Sequence, residues 1–266
     1  NKSYFKISEI SYKTVWKGYR VRSLLESKGL AGVSPVLRRK VLAGMWWGKS
    51  CGNVLKITYD IGVKILFCHM HEITVKKGQR VKIILLDTRY FRDILEKNTA
   101  GGKNRYKINK TGDMLGEEQW AWLETELSDK SVDLYLVGGG IQVIPMDHGF
   151  EKWANYPKSR KRILSLLEKS NPKSVILLSG DRHISEISKM KLKGVNYPIY
   201  DITASGMTHS YEAIKDEPNR YRVDNKITGQ KNFGLMKIDW NSKPLSVKVE
   251  IKGLEDAVLL EENIKF

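Results

Sequence analysis

The sequence predicts an α/β fold. Through its middle third, apolar segments of strand length alternate with segments of helical periodicity, and this order is typical of α/β cores. After Glu186 the pattern changes, because apolar and polar residues alternate one by one, as they do in half-buried antiparallel strands. With 266 residues, 41% of them hydrophobic, the chain is long enough for a large core in one big domain or two small ones.

Three apolar segments predict the buried strands of this core. They are Val81–Leu86, Val132–Val137 and Ser174–Leu178. Each is followed at once by polar residues or glycines, which favour a sharp exit from a sheet. These segments therefore predict buried strands, and the polar residues after them would lie at the edge of a sheet.

Two helices are predicted between the strands. In Leu115–Leu127, Trp120, Leu123 and Leu127 fall on one face, and acidic residues favour the first turn. Pro157 favours the start of the second helix, and Asn171-Pro172 favours its end.

Two later segments, 188–192 and 247–252, alternate apolar residues with charged ones. In the second, Val247, Val249 and Ile251 alternate with Lys248, Glu250 and Lys252. One wet face and one buried face are typical of antiparallel strands.

The net charge of +16 is concentrated in the amino-terminal part of the chain. Residues 1–86 hold 17 lysines and arginines against four acids, whereas the other 180 residues hold 29 against 26. We therefore divide the chain into a basic amino-terminal region, 1–80, without assignable elements, and a core, 81–266. The basic region could bind a polyanion such as nucleic acid or an anionic membrane surface, or it could be a solvated lysine-rich surface.

The segment Ser179–Glu186 carries the best candidate for a metal site. Asp181, His183 and Glu186 follow a buried strand and a glycine. A carboxylate and a neutral imidazole two residues apart can converge on a hard or borderline divalent cation. The alternative is an ordinary surface loop, because two ligands alone do not make a site.

Seven segments, taken together and in this order, resemble the PhoD-like alkaline phosphatase/phosphodiesterase family of calcineurin-like metallophosphoesterases. They are 85–93, 115–123, 140–145, 150–160, 179–186, 203–210, and 232–235 running into 238–240. The resemblance implies a four-layer α/β/β/α sandwich with a metal centre at the strand ends. It also implies hydrolysis of phosphate esters by a metal-activated water, with two divalent or trivalent ions drawn from Ca, Fe, Zn and Mn.

The resemblance also implies roles for individual residues. Asp181 and His183 match the last metal-binding motif of the family, and Gln142 lies where relatives present another ligand. Glu186 and Asp87 would orient these ligands without binding the metal themselves. Arg89 and Arg92 would bind the substrate phosphate as catalytic residues, because a guanidinium matches its oxygens; the alternative is that they pair with Asp87 or Asp93 in their own loop.

The amino-terminal motifs of the family are absent. An Asp-rich loop and a Trp-Asp-Asp-His-Asp segment are both missing, and Asp60 is the only aspartate in residues 1–86. The missing ligands could come from residues before Asn1 or from a set that includes His69 and His71, which would share one face of a strand. Otherwise the chain is a catalytically incomplete relative of the family or a polyanion-binding module.

Other features narrow the class of protein. No apolar run approaches the twenty or so residues that span a bilayer, so we expect no membrane span. The two cysteines, Cys51 and Cys68, exclude a disulfide framework. We expect His148 and His209 to lie on loops in contact with solvent. The patterns leave the localisation and the oligomeric state undetermined.

Overall fold

The computed structural model describes residues 68–75, 78–214 and 217–266, together with the backbone of strand β1 (Ser3–Phe5). Most of the predicted basic region therefore lies outside the described residues. The division at residue 80 and the binding of a polyanion by this region remain predictions.

A seven-stranded mixed sheet forms the centre of the fold. Its seven strands are β2 (His69–Thr74), β3 (Arg80–Leu85), β4 (Leu134–Gly138), β5 (Val175–Ser179), β6 (Ser185–Met190), β7 (Ile199–Ala204) and β8 (Arg222–Thr228). Across the sheet they lie in the order β2-β3-β4-β5-β7-β6-β8. Strands β3, β4, β5 and β7 are parallel, whereas β6 is antiparallel to both of its neighbours. The carboxyl ends of the parallel strands consequently meet at one edge.

Two helices cover one face of this sheet. Helix α1 (Glu117–Leu127) and helix α2 (Pro157–Ser170) bury Trp120, Leu123 and Ile163 in one cluster with alternate residues of the parallel strands. Helix α1 begins two residues later than the sequence predicts. Gly116, at φ 75°, has a left-handed backbone that cannot continue a helix.

A four-stranded antiparallel sheet forms a further layer. Its order is β1-β9-β10-β11, with β9 (Phe233–Asp239), β10 (Ser246–Lys252) and β11 (Val258–Lys265). Every second residue of β10, namely Val247, Val249 and Ile251, is fully buried, as the alternation in the sequence predicts. The Tyr200 hydroxyl of β7 donates a hydrogen bond to Glu262 of β11 at 3.0 Å, so this sheet contacts the large one.

The α/β prediction is confirmed. The described residues form both sheets and one layer of helices, and no helix of a second outer layer is found among them. In the part of the chain that is described, no helix combines the length and apolar character needed to cross a bilayer.

Candidate functional site

The candidate site lies at the carboxyl ends of β3, β4 and β5. Because these strands are parallel neighbours, the loops that follow them are brought side by side. These loops carry Asp87 and Arg89 after β3, Gln142 after β4, and Asp181 and His183 after β5. The sequence therefore placed its candidate residues at one edge of the sheet.

Asp181 and His183 are both exposed, and the residue between them is buried. Both have positive φ angles, 66° and 56°, in the left-handed region that non-glycine residues rarely adopt. The His183 ring stacks on that of His209, with centroids 5.9 Å apart. The His183 carbonyl accepts the backbone N–H of Tyr211 at 2.7 Å. His209 is exposed, as the sequence predicts.

Asp181 belongs to a cluster of charged side chains that we call the outer cluster: Arg89, Arg92, Glu151 and Asp181. The Arg89 guanidinium lies 2.9 Å from the Asp181 carboxylate and 2.5 Å from Glu151. Arg92 pairs with the second oxygen of Glu151. The two arginines thus use partners from distant parts of the chain, rather than the Asp87 or Asp93 of the alternative prediction.

Asp87 shapes the loop that carries Arg89. Its carboxylate accepts the backbone N–H groups of Arg89 and Tyr90, each at 2.8 Å. The buried Gln119 side chain of α1 bonds the Asp87 backbone through both its amide oxygen and its amide nitrogen. Asp87 therefore holds the arginine loop against the helix layer.

A second group of polar side chains, the inner cluster, lies buried beneath the exposed loop. It consists of Gln142, Arg182, Glu186, Glu217 and Arg222. The Gln142 amide nitrogen donates to Glu186 at 2.7 Å and to Thr203 at 2.8 Å. The other Glu186 oxygen accepts from Arg222 at 2.7 Å.

The inner cluster gives two predicted site residues structural partners. The Gln142 amide oxygen accepts from Arg182 at 3.3 Å, and the Glu186 oxygens accept from Gln142 and Arg222. Both side chains are fully buried. A ligand role for Gln142 and an orienting role for Glu186 toward His183 stay predictions.

Asp201, in β7, fixes the loop that carries Gln142. Its buried carboxylate accepts the backbone N–H groups of Val143 and Ile144 at 2.8 and 2.9 Å, and the Ser179 hydroxyl at 2.5 Å. Burial raises the pKa of Asp201, while these three hydrogen bonds oppose that shift. One side chain thus joins the ends of β4, β5 and β7.

His148 is buried, so the expectation of a solvated histidine is wrong. Its Nδ1 accepts the Phe150 N–H at 3.2 Å. Burial, together with the positive charges of Arg182 and Lys152, lowers the pKa of His148 to about 2. Phe150, in the same loop, lies against Arg182 of the inner cluster, a contact that the local sequence does not reveal.

The described residues do not complete a metal site. Asp181 and His183 offer one carboxylate and one imidazole, and Asp181 already contacts Arg89. In the described part of the chain, no three His, Cys, Asp or Glu side chains are grouped so that they could hold a metal ion. His71 lies exposed in β2, and the side chain of His69 is outside the described set.

Sequence reasoning missed several residues of the site. Glu151, Arg182, Glu217 and Arg222 were not singled out, although Glu151 lies in the matched segment 150–160. Glu151 is 62 residues from Arg89, and Glu217 is 35 residues from Arg182. Only the packing of loops from different strands brings such partners together.

Comparison with known proteins finds a matching family and a curated relative. Residues 72–247 match the model of the PhoD-like phosphatase family. Alkaline phosphatase D of Bacillus subtilis (strain 168) is 26% identical over 159 residues, which cover 53% of this chain and 27% of the relative. The chain therefore spans about a quarter of the curated relative that it matches.

A solved structure described as "Structure of PhoD" shares the fold. The superposition has a TM-score of 0.57 and 14% identity, and it covers 84% of this chain and 45% of the other. At this identity the likeness bears on the fold alone.

Proposed function

The chain belongs to the PhoD-like phosphatase family, and we propose that it hydrolyses phosphate esters at the strand ends of the large sheet. Membership of the family, together with the similarity to an alkaline phosphatase D, supports a phosphoesterase-type function. Because the chain spans only part of these relatives, the activity of the whole protein is part of the proposal.

One observation carries the assignment of the site. The Arg89 guanidinium lies 2.9 Å from the Asp181 carboxylate, so a group suited to phosphate oxygens and a group suited to cations meet at the same place. Hydrolysis of a phosphate ester needs both, because the phosphoryl oxygens must be neutralised while the leaving oxygen is stabilised.

We propose that Arg89 and Arg92 bind the phosphate. Both guanidinium groups now pair with carboxylates, so a phosphate must compete with Glu151 and Asp181 for them. Such competition makes binding sensitive to ionic strength at Arg89, because its pair with Asp181 is partly exposed to solvent.

Metal dependence is a further part of the proposal. Asp181 and His183 would supply two of the ligands, and bound ions would lower the pKa of a water and neutralise phosphate charge. Since these two donors do not complete a site among the described residues, we assign no reaction step to a metal.

The test is hydrolysis of p-nitrophenyl phosphate and bis-p-nitrophenyl phosphate by purified protein incubated with Ca²⁺, Fe³⁺, Zn²⁺ or Mn²⁺. We expect activity on one of these esters that a chelator abolishes. His183→Ala should reduce kcat at least about 100-fold, the scale of removing one charge-stabilising group. Glu124→Gln, on the outer surface of α1, is the matched control and should leave kcat unchanged.

Elemental analysis of the same samples separates the outcomes. Protein that holds metal tightly and is inert on both esters would refute the phosphoesterase proposal. Protein that is active without bound metal, and equally active as His183→Ala, would refute the proposed ligands and leave the family assignment in place.

A further inference from the structure

The three residues Asp181–His183 have an unusual alternation of exposure and backbone conformation. Asp181 and His183 point outward with φ angles of 66° and 56°, whereas Arg182 between them is only 7% exposed. Two left-handed non-glycine residues within three positions are strained, and such strain persists only where surrounding contacts over-determine it.

Arg182 supplies contacts of this kind through its guanidinium and its backbone. One terminal nitrogen pairs with Glu217, and Nε donates to the Gln142 amide oxygen at 3.3 Å. The plane of the group lies over the Phe150 ring, with the guanidinium carbon 4.1 Å from the ring centroid. The Arg182 backbone N–H also donates to the Gly180 carbonyl at 2.8 Å.

The partners of Arg182 are themselves fixed. Arg105 lies 4.2 Å from the same Phe150 centroid, so the ring packs between two guanidinium groups. Arg222 donates to the Glu217 backbone carbonyl at 2.8 Å and to the Glu186 carboxylate at 2.7 Å. Gln142 is held by Glu186 and Thr203. The guanidinium of Arg182 thus lies in a socket formed by Gln142, Phe150 and Glu217, each of which has other partners as well.

We infer that Arg182 is a positioning residue for the proposed phosphoesterase reaction: its buried guanidinium holds the Asp181–His183 segment in the conformation that turns both side chains outward. The inference rests on the proposed function for its catalytic consequence. The structural part of the inference, that Arg182 holds the loop in place, does not depend on the proposed function.

An arginine is required at this position because three geometries must be met together. A planar group can stack on Phe150 while it donates in its own plane to Gln142 and Glu217. The ammonium of a lysine has no such plane and cannot make all three contacts. Arg182→Lys should therefore resemble Arg182→Ala in activity, even though it keeps the charge.

The test uses Arg182→Ala, Arg182→Lys and Glu217→Gln in the full chain. Arg220→Ala is the matched control, since Arg220 also pairs with a carboxylate, Asp147, but does so on the surface. We expect kcat on the preferred p-nitrophenyl ester to fall about 10- to 100-fold in both Arg182 variants, as when groups that orient metal ligands are removed. Arg220→Ala should stay within about 2-fold.

Chemical rescue separates positioning from general stability. Guanidinium ion at a low, non-denaturing concentration should restore several-fold activity to Arg182→Ala, because it can refill the socket, and methylammonium should not. A lack of rescue in a folded Arg182→Ala protein, or wild-type activity of Arg182→Lys, would overturn the inference.

Amide hydrogen exchange gives a readout that needs no activity. The Tyr211 N–H donates to the His183 carbonyl, so it should exchange at least tenfold faster in Arg182→Ala, while amides of β5 stay protected. Unchanged Tyr211 exchange would overturn the inference even if the enzyme is active. Faster exchange in a protein without phosphoesterase activity would refute the proposed function alone. If Arg182→Ala does not fold, Glu217→Gln carries the same comparison with a smaller expected change.

Discussion

The outer and inner clusters use the same chemistry, paired guanidinium and carboxylate groups, in different surroundings. In the outer cluster Arg89 and Asp181 each keep about a third of their side chains exposed, 32% and 34%. In the inner cluster Arg222 and Glu186 keep 4% and 1%. The charges of Arg89 and Asp181 can therefore be hydrated or rearranged, whereas Arg92 and Glu151, at 17% and 10%, and the charges of the inner cluster depend mainly on their partners.

This difference indicates that the two clusters have different roles, one in binding the substrate and the other in fixing the loops. Side chains that must exchange a partner for a substrate need water nearby, because the cost of leaving a pair is then small. Side chains that fix loop geometry hold it more firmly when they are buried, since removal of one partner leaves the charge of the other buried and unpaired. We therefore expect mutations of the inner cluster to lower stability and, at Arg182, to lower activity through the position of the loop, whereas mutations of Arg89 should act on substrate binding directly.

The largest effect is expected from Glu186→Ala. The substitution leaves the Arg222 guanidinium and the Gln142 amide without their buried acceptor, so the free energy of unfolding should fall by about 3–5 kcal/mol. Urea denaturation measures this directly. A loss no greater than that of an outer-cluster variant would contradict the comparison.

An intermediate effect is expected from His148→Asn, measured as stability against pH. His148 has a pKa of about 2 in the folded protein and an ordinary pKa near 6.5 when unfolded. At a pH between these two pKa values, His148 is protonated in the unfolded chain but neutral in the folded protein. The free energy of unfolding therefore falls as the pH drops below about 6.5. An asparagine can still accept the Phe150 N–H but does not titrate.

The variant should therefore lose stability less steeply than the parent below pH 6.5. For one proton the difference in slope approaches about 1.4 kcal/mol per pH unit. The two curves should be parallel above pH 7. If the stability curves of the parent and the variant were also parallel between pH 6 and 4, His148 would be able to bind a proton in the folded protein, and the prediction would be wrong.

The smallest effect on folding is expected from Arg89→Gln. Because this arginine is partly exposed and Arg92 still pairs with Glu151, the free energy of unfolding should change by no more than about 1 kcal/mol. The KM for the phosphate ester should nevertheless rise, and its dependence on salt should weaken. Unchanged KM together with a large loss of stability would assign Arg89 to the architecture instead.

The sequence predicted the framework of the fold better than the contacts of the site. The strands β3, β4 and β5 can be predicted from the sequence because runs such as Val175–Leu178 are apolar on both faces, and parallel strands bury both faces. The same logic placed Asp181 and His183 at the sheet edge, since they follow a strand and a glycine directly.

The partners of these residues were not predictable, for a physical reason. Arg182 reads locally as a loop arginine, and nothing near it in sequence indicates burial. Its socket is assembled from Gln142, Phe150 and Glu217, which are 40, 32 and 35 residues away. His148 was misjudged for the same reason, because burial of a loop depends on what folds over it.

Gly149 sits where two stretches of chain cross. A methyl group on its α-carbon would overlap the Lys103 carbonyl, and its own carbonyl accepts the Arg105 N–H at 2.9 Å. A side chain at position 149 would clash there, so residues 103–105 and the chain before Phe150 can approach each other this closely only with glycine at this position. Any other residue at position 149 should therefore push residues 103–105 away from Phe150, the ring that Arg105 and Arg182 both contact.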